Sequence, residues 1–150
     1  MKKVELLAPA GNLEKLKWAF LYGADAVYFG GQNYGLRANA GNLSIDEIKQ
    51  ACEYAHKLNK KVYVTANIVF HDEDLDGISE YLIELKNAKV DAVIISDPGV
   101  LPIIKKVIPD MEIHISTQQN CLNYEACNFF YDEGVKRVVL GREMSKTDLE

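Results

Sequence analysis

The sequence predicts an α/β protein built as a (β/α) TIM-type barrel, of which it supplies about six parallel strands of eight. Short β-branched segments alternate with segments of helical periodicity, as in repeated βα units. Strand centres such as AVII at 92–95 and VVL at 138–140 are apolar throughout, which indicates burial on both faces. Polar residues recur at strand ends and no glycine-rich phosphate loop follows the first strand, which favours a barrel over a doubly wound sheet.

The first βα unit has a short turn between its strand and its helix, whereas the second unit has a long loop there. The strand Val4–Ala8 is predicted to stop at Pro9, and Asn12 is placed to cap a helix with apolar residues on one face. The second strand, Asp25–Gly30, runs into the loop 32–42, which contains glycines and has no periodicity. Loops of this length usually carry function.

The later elements follow the same alternation. Ser44 and Glu47 form a capping box that predicts a helix start. The remaining predicted strands are Lys61–Ile68, Asp91–Ser96, Glu112–Ser116 and Lys136–Leu140, and the remaining helices start near Asp74, with Leu75 on its core face, at Pro98 and at Asn123.

A weak internal recurrence supports this count of elements. The segments YGADAVYFGG, AKVDAVIISD and EGVKRVVLGR each place a helix end and a small turn before an apolar strand. Ser145 opens a further helix only a few residues before Glu150, and a complete barrel needs roughly 200 residues or more. We therefore interpret residues 1–150 as the N-terminal part of a single barrel domain that continues beyond residue 150, with a self-contained open sheet or a barrel completed by dimerisation as alternatives.

Composition, charge and cysteine spacing limit the classes of protein to which the chain can belong. The chain is 48% hydrophobic and 26% charged, as in a globular domain, and no apolar run approaches the ~20 residues of a membrane span, so we expect a cytoplasmic protein with no membrane partner. The net charge is −5 and the basic residues come as scattered pairs, which predicts a poor nucleic-acid binder when taken alone. Cys52, Cys121 and Cys127 match no metal-ligand spacing and are each predicted to be small buried hydrophobes.

Polar side chains at successive strand ends predict a binding site for a peptide or a small polar substrate, because burying them without a partner costs free energy. Arg37 could grip a carboxylate or phosphate, or brace its own loop. Strand alternation places His114 on the face of Glu112 and Ser116, where it could act as acid, base or ligand, or be a structural histidine.

Other groups of residues give weaker indications of a metal site or a catalytic site. The run 71–74, HDED, resembles a metal-ligand cluster, but acidic residues at a helix start favour the helix dipole and need no metal, so no metal site is assigned. No GxSxG, HExxH or Walker motif occurs in the sequence. Glu143 could serve as a general acid or base, or pair with Arg142 or Lys146.

Four stretches of the chain together resemble the N-terminal region of peptidase family U-32, a collagenase-like family of unassigned catalytic type. They are VELLAPAGN, DAVYFGGQNYGLRANAGN, HISTQQNCLN and VVLGREMS. The resemblance implies a barrel-like catalytic domain and peptide hydrolysis. It also implies an alternative, namely hydroxylation of tRNA or rRNA with an iron–sulfur cluster bound outside this segment. Because the residues of this chain form no complete catalytic set, a non-catalytic partner subunit is a further alternative.

The resemblance identifies matching positions in this chain but does not assign a role to each residue. The cysteines of this chain do not match the cluster-binding cysteines of the family, so a cluster or a divalent metal is expected only in the full-length protein, as is any RNA contact. A homo-oligomer is a further option. Our candidate catalytic residues are Glu143, Arg142 and His114. The candidate substrate-binding residues are Pro9, Gly11, Tyr28, Gly30, Arg37, Asn39, Asn67, Asp97, Thr117 and Gln118.

Overall fold

The structure, a computed structural model, describes residues 4–36 and 42–149. The six strands found there form one parallel sheet whose order follows the chain: β1 Leu7–Pro9, β2 Ala26–Gly30, β3 Lys61–Ala66, β4 Ala92–Ile95, β5 Glu112–Ile115 and β6 Arg137–Val138. The helices are α1 Leu13–Leu21, α2 Ile45–Lys57, α3 Ile78–Asn87, α4 Val100–Val107, α5 Tyr124–Asp132 and α6 Lys146–Leu149. Each strand pairs only with its sequence neighbours, which confirms the partial (β/α) barrel.

The sheet is buried on both faces, as its apolar strand centres predict. The outward side chains of the strands, such as Val27, Val64 and Val93, pack with the helices in the larger hydrophobic core. The inward side chains Ala26, Tyr63, Ala92 and Ile94 form a second, smaller cluster inside the curved sheet. Alternation along each strand therefore separates a helix-facing layer from the barrel interior.

The recurring helix-to-strand junction is real and occurs four times in the described part of the chain. Each junction has a residue with positive φ directly after a helix end, and these residues are Gly23, Asn59, Lys89 and Gly134. At each of them two backbone N–H groups reach back to carbonyls of the last helical turn, as in Gly23 to Phe20 and Ala24 to Ala19. Sequence similarity indicated three of these junctions and missed the one at Asn59.

Several strands differ in extent from the prediction, and β6 is the most shortened, since it covers Arg137–Val138 and not Lys136–Leu140. Pairing of β1 begins at Leu7 and reaches Pro9, and Val4 before it is 86% exposed. The third strand ends at Ala66 and not at Ile68, because the N–H groups of Asn67 and Ile68 both donate to the carbonyl of Tyr34 and not to a neighbouring strand. The strand is thus capped by the loop that follows β2.

The prediction of a helix starting near Asp74 was wrong. Residues Asp72–Leu75 form a separate 3-10 turn in which Asp74 accepts the backbone N–H of His71 at 2.8 Å. Gly77, with φ of 84°, changes the direction of the chain before α3 begins. Leu75 is 38% exposed and lies outside the core. The spacing of apolar residues does not predict this boundary, because a glycine in the left-handed region separates the 3-10 turn from α3.

The structure also shows the burial of the cysteines and the character of the helices with respect to a membrane. Cys52 and Cys121 are buried as predicted, whereas Cys127 is half-buried because it lies on the partly exposed helix α5. Within residues 4–36 and 42–149, no helix has both the length and the apolar content to cross a bilayer.

Candidate functional site

The segment Ser116–Gln119, directly after β5, connects the carboxyl ends of the neighbouring strands. The Thr117 hydroxyl donates to the carbonyl of Leu140, beyond β6, at 3.2 Å. The Gln119 amide donates to the carbonyl of Ser96, beyond β4. Gln118 reaches across β4 to Asn67, which follows β3. Three consecutive side chains thus bind three different strand ends, and we call this arrangement the rim.

The side chains of Asn67 and Gln118 form an amide pair inside the rim. The Asn67 Nδ2 donates to Gln118 Oε1 at 2.5 Å, and Gln118 Nε2 donates to the Asn67 backbone carbonyl at 3.2 Å. The Leu36 N–H donates to Asn67 Oδ1 at 3.3 Å, which also fixes the orientation of the asparagine. Each primary amide still has one N–H group beyond those used in these bonds, so the pair can donate to a polar ligand without reorganising.

Besides Thr117, three further hydroxyls near the carboxyl ends of the strands donate to oxygen acceptors. Thr65 donates to the Phe29 carbonyl at 3.4 Å and Ser96 to the Ile68 carbonyl at 3.3 Å. Ser116 donates to Gln118 Oε1 at 3.2 Å. A nucleophilic hydroxyl is activated by a base that takes its proton, and these three protons are directed to carbonyl and amide oxygens. The rim therefore has the chemistry of a hydrogen-bonding surface.

A floor of charged residues lies at the amino ends of the strands, inside the barrel. Glu5 accepts a hydrogen bond from Arg137 at 2.6 Å and one from the Tyr63 hydroxyl at 2.9 Å. Burial raises the pKa of Glu5, but the bonds from Arg137 and Tyr63 outweigh this effect and leave the pKa below its usual value. The Arg137 guanidinium also lies 5.3 Å from the centre of the Tyr63 ring.

His114 belongs to this floor and does not reach the rim. Its ring has no exposed surface, its Nε2 lies 2.8 Å from Glu112 Oε1, and it packs edge-on against Tyr63. Desolvation lowers the pKa of His114, and the bond to Glu112 offsets only part of that shift. The Nδ1 atom has no hydrogen-bond partner among the described residues. The expected sharing of a face with Glu112 is confirmed.

The other predicted site residues lie at several places around the carboxyl end. Arg142 and Glu143 are exposed in a turn after β6. Asp97 accepts the Gly99 N–H at 2.6 Å and so shapes the turn before α4. Pro9 ends β1 and Gly11 follows it before α1, Tyr28 packs in the barrel interior, and Arg37 and Asn39 lie outside the described residues.

Gly30, at the end of β2, allows close approach of the loop that follows. A side chain at Gly30 would meet Asn42 Oδ1 at 3.2 Å and Thr65 Oγ1 at 3.4 Å, so the loop lies directly over the strand end. Tyr34 in the same loop stacks on Phe70 with ring centres 5.7 Å apart. The described residues at the two ends of the loop predicted to carry function therefore contact the strand ends beside the rim.

Sequence reasoning missed Glu5, Tyr63 and Arg137. The only local signal was Arg137 itself, a charged residue at an inward-facing position of an otherwise apolar strand. Glu5 and Arg137 are 132 positions apart, and only the closure of the curved sheet brings them together.

The described residues do not fit a resident metal or cluster. No group of three or more histidine, cysteine or acidic residues within 4–36 and 42–149 is arranged to hold a metal ion. Burial raises the pKa of the Cys52 thiol to about 12, which disfavours the thiolate that a metal requires. We therefore assign no step to a metal or cluster in this segment.

Comparison with known proteins shows relatives named for RNA modification and a relative named as a protease. The chain is 51% identical over 148 residues to tRNA hydroxylation protein P1 of Bacillus subtilis, a match that covers 99% of this chain and 35% of the relative. It is 38% identical over 143 residues to a 23S rRNA 5-hydroxycytidine synthase of Escherichia coli, covering 95% of this chain and 21% of the relative. An uncharacterised protease of Methanocaldococcus jannaschii is 41% identical over 150 residues, covering 100% of this chain and 36% of that protein.

The fold comparison agrees with the sequence comparison. A solved structure of a U32 peptidase superposes with a TM-score of 0.74 at 12% identity and covers 92% of this chain and 58% of that one. The chain spans about a third of the length of its tRNA hydroxylation relative. The sequence profile described as Peptidase family U32 matches residues 11–150, nearly the whole chain. The profile match over almost the whole chain shows that this chain belongs to peptidase family U32.

Proposed function

We propose that the chain forms part of the barrel of an RNA-modifying enzyme that hydroxylates a tRNA base. The observation that carries this proposal is the 51% identity, over almost the whole chain, with a protein named for tRNA hydroxylation. A relative named for 5-hydroxycytidine synthesis in rRNA supports the same type of reaction on a base. The proposal replaces peptide hydrolysis, the first reading of the sequence, as the leading function.

The rim supports binding of a base better than activation of a nucleophile. The edge of a base offers carbonyl and ring-nitrogen acceptors, and enzymes that act on bases read such edges by hydrogen bonds. The amides of Asn67 and Gln118 are oriented by each other and retain N–H groups for this purpose. Hydroxylation also needs an oxygen donor and a redox group. A cluster or metal in the remainder of the protein stays a prediction, and this segment is assigned substrate binding.

The test is the nucleoside content of tRNA from cells that lack the gene. We expect a hydroxylated nucleoside, measured by mass spectrometry of digested tRNA, to disappear on deletion and to return with the wild-type gene. Complementation with Asn67→Ala or Gln118→Ala is expected to restore less of the nucleoside than the wild-type gene does, since losing a bond of about 1.4 kcal/mol lowers the rate about tenfold.

The matched control is Gln50→Ala, which removes an exposed amide from α2. It is expected to restore the full level, with all variants present at equal amounts by immunoblot. An unchanged tRNA and rRNA nucleoside profile in the deletion strain would contradict the proposal.

Peptide hydrolysis remains the second candidate, because the archaeal relative at 41% identity is named as a protease. Glu143 and Arg142 are the proposed catalytic residues in that case, since they are exposed at the carboxyl end of the sheet. The full-length protein, purified with its metals retained, would then cleave unfolded collagen or casein, and Glu143→Gln would abolish cleavage. Cleavage that persists in Glu143→Gln would point to a contaminating protease.

A further inference from the structure

A groove of about 450 Å³ runs between α2 and α3 on the outer surface of the barrel. It lies near the end of α3 that leads into β4, and so away from the rim. Lys49 and Lys57 line one wall, and Asn87 and Lys89 line the other. The groove is separate from the proposed base-binding site.

The groove is cationic in a chain that carries a net charge of −5. The ammonium groups of Lys49, Lys57 and Lys89 are exposed, and none forms an ion pair with a described residue. Glu53 is the one carboxylate among the lining residues, and His56 is occupied by Asp91 at 3.0 Å. Three ammonium groups therefore stand against two carboxylates, Glu53 and the Asp91 that is bound to His56, and an anion entering the groove would gain contacts with the ammonium groups without breaking an ion pair of theirs.

The geometry fits an extended polyanion better than a compact one. Lys49, Glu53 and Lys57 follow at four-residue spacing, so they form one stripe on α2 that is about 12 Å long. A single phosphate would need several donors converging on one point, whereas these lysines are spread along the groove. Lys89 and the Asn87 amide stand on the opposite wall, so a chain of phosphates would be flanked on both sides.

We propose that the groove between α2 and α3 binds the sugar–phosphate backbone of the RNA whose base enters the rim. The inference rests on the proposed RNA substrate and adds the surface that holds it. Lysine contacts of this kind supply affinity and position without reading sequence. They release counterions, so each one adds about 0.7 to 0.9 to the dependence of log K on log salt concentration.

The test measures binding of an unmodified tRNA transcript to the full-length protein by fluorescence anisotropy between roughly 50 and 300 mM salt. We expect Lys49→Gln/Lys57→Gln/Lys89→Gln to raise Kd about tenfold at the lowest salt and to reduce the salt slope by about 2. The matched control, Lys15→Gln/Lys106→Gln/Lys136→Gln, removes the same charge from exposed sites elsewhere and is expected to leave both values unchanged. Melting temperatures are compared to verify folding.

A second variant changes binding in the opposite direction and so cannot be explained by damage to the fold. Glu53→Gln removes the carboxylate from the groove and is expected to tighten tRNA binding. Equal affinity and slope in wild type and the triple groove variant, or weaker binding by Glu53→Gln, would overturn the inference. So would the absence of salt-dependent tRNA binding by the wild type. Lost tRNA binding in the groove variant with an unchanged nucleoside profile on gene deletion would leave the groove standing and refute hydroxylation instead.

Discussion

The hydroxyl of Tyr81 occupies the space beside Gly31 that any larger residue would need. A Cβ atom at Gly31 would lie 2.1 Å from the Tyr81 oxygen. That hydroxyl is buried, and it has no hydrogen-bond partner among the described residues. Burial raises the pKa of Tyr81 well above its usual value, so the group stays protonated. A glycine and an unsatisfied phenol thus meet at one contact directly after β2.

This contact predicts a non-additive pair of substitutions. Gly31→Ala is expected to lower the free energy of unfolding by about 1–3 kcal/mol, the usual cost of overpacking. Tyr81→Phe removes a buried hydroxyl that lacks a partner and is expected to be neutral or slightly stabilising. In the Tyr81→Phe background most of the cost of Gly31→Ala should vanish. Urea unfolding of the four proteins measures the cycle, and additive effects would show that the contact is not the cause.

At the scale of elements, local hydrogen bonds decide where helices begin. Ser44 and Glu47 form a reciprocal capping box at the start of α2. The Glu47 carboxylate accepts the Ser44 N–H at 2.9 Å, and the Ser44 hydroxyl oxygen accepts the Glu47 N–H at 3.3 Å. The backbone bond from Ser44, followed by the bond from its hydroxyl, lowers the pKa of Glu47. These contacts lie within four residues, so the sequence alone predicted them.

Ser44→Ala is therefore expected to lower the free energy of unfolding by about 1 kcal/mol. Ser44→Thr keeps an oxygen in the capping position and is expected to retain most of the stability. Thermal and urea unfolding measure both variants, and equal losses in Ser44→Ala and Ser44→Thr would show that packing, and not the cap, is responsible.

At the scale of the whole molecule, the floor joins the two ends of the curved sheet. The Glu5–Arg137 pair links the segment before β1 to β6, and Tyr63 and His114 fill the space between them. Burial lowers the pKa of His114 below 6.5, so the folded protein disfavours its protonation. The unfolded chain binds this proton more readily, and stability is lost as pH falls from 6.5 toward the lower folded pKa.

We expect the free energy of unfolding of the wild type to decrease as the pH falls below 6.5, before the range in which Glu5 titrates is reached. His114→Gln keeps a polar group beside Glu112 but cannot be protonated, so it is expected to show a flatter profile in this window. The control is His71→Gln, at an exposed position, which is expected to follow the wild type. Parallel profiles for wild type and His114→Gln would exclude His114 as the source.

Much of the fold could be predicted because its signals are local. Helix periodicity, the Ser44 capping box and the turn before each strand involve residues a few positions apart, and consecutive βα units impose parallel order. Boundaries failed where a distant group intervened, as when the Tyr34 carbonyl captured the amides of Asn67 and Ile68. The candidate site was predicted as a set of strand ends, and the pairing of Asn67 with Gln118 required the register of three strands.

The sequence by itself determined the class of fold, the order of the strands and the end of the sheet at which polar side chains collect. Only the tertiary structure decided which of those side chains meet, that His114 lies in the floor and not at the rim, and that Lys49, Lys57 and Lys89 line one groove. The physical reason is the separation along the chain over which each kind of interaction acts. Backbone hydrogen bonds and side-chain periodicity act within one turn or strand, whereas contacts across the barrel depend on how the whole sheet curves and closes.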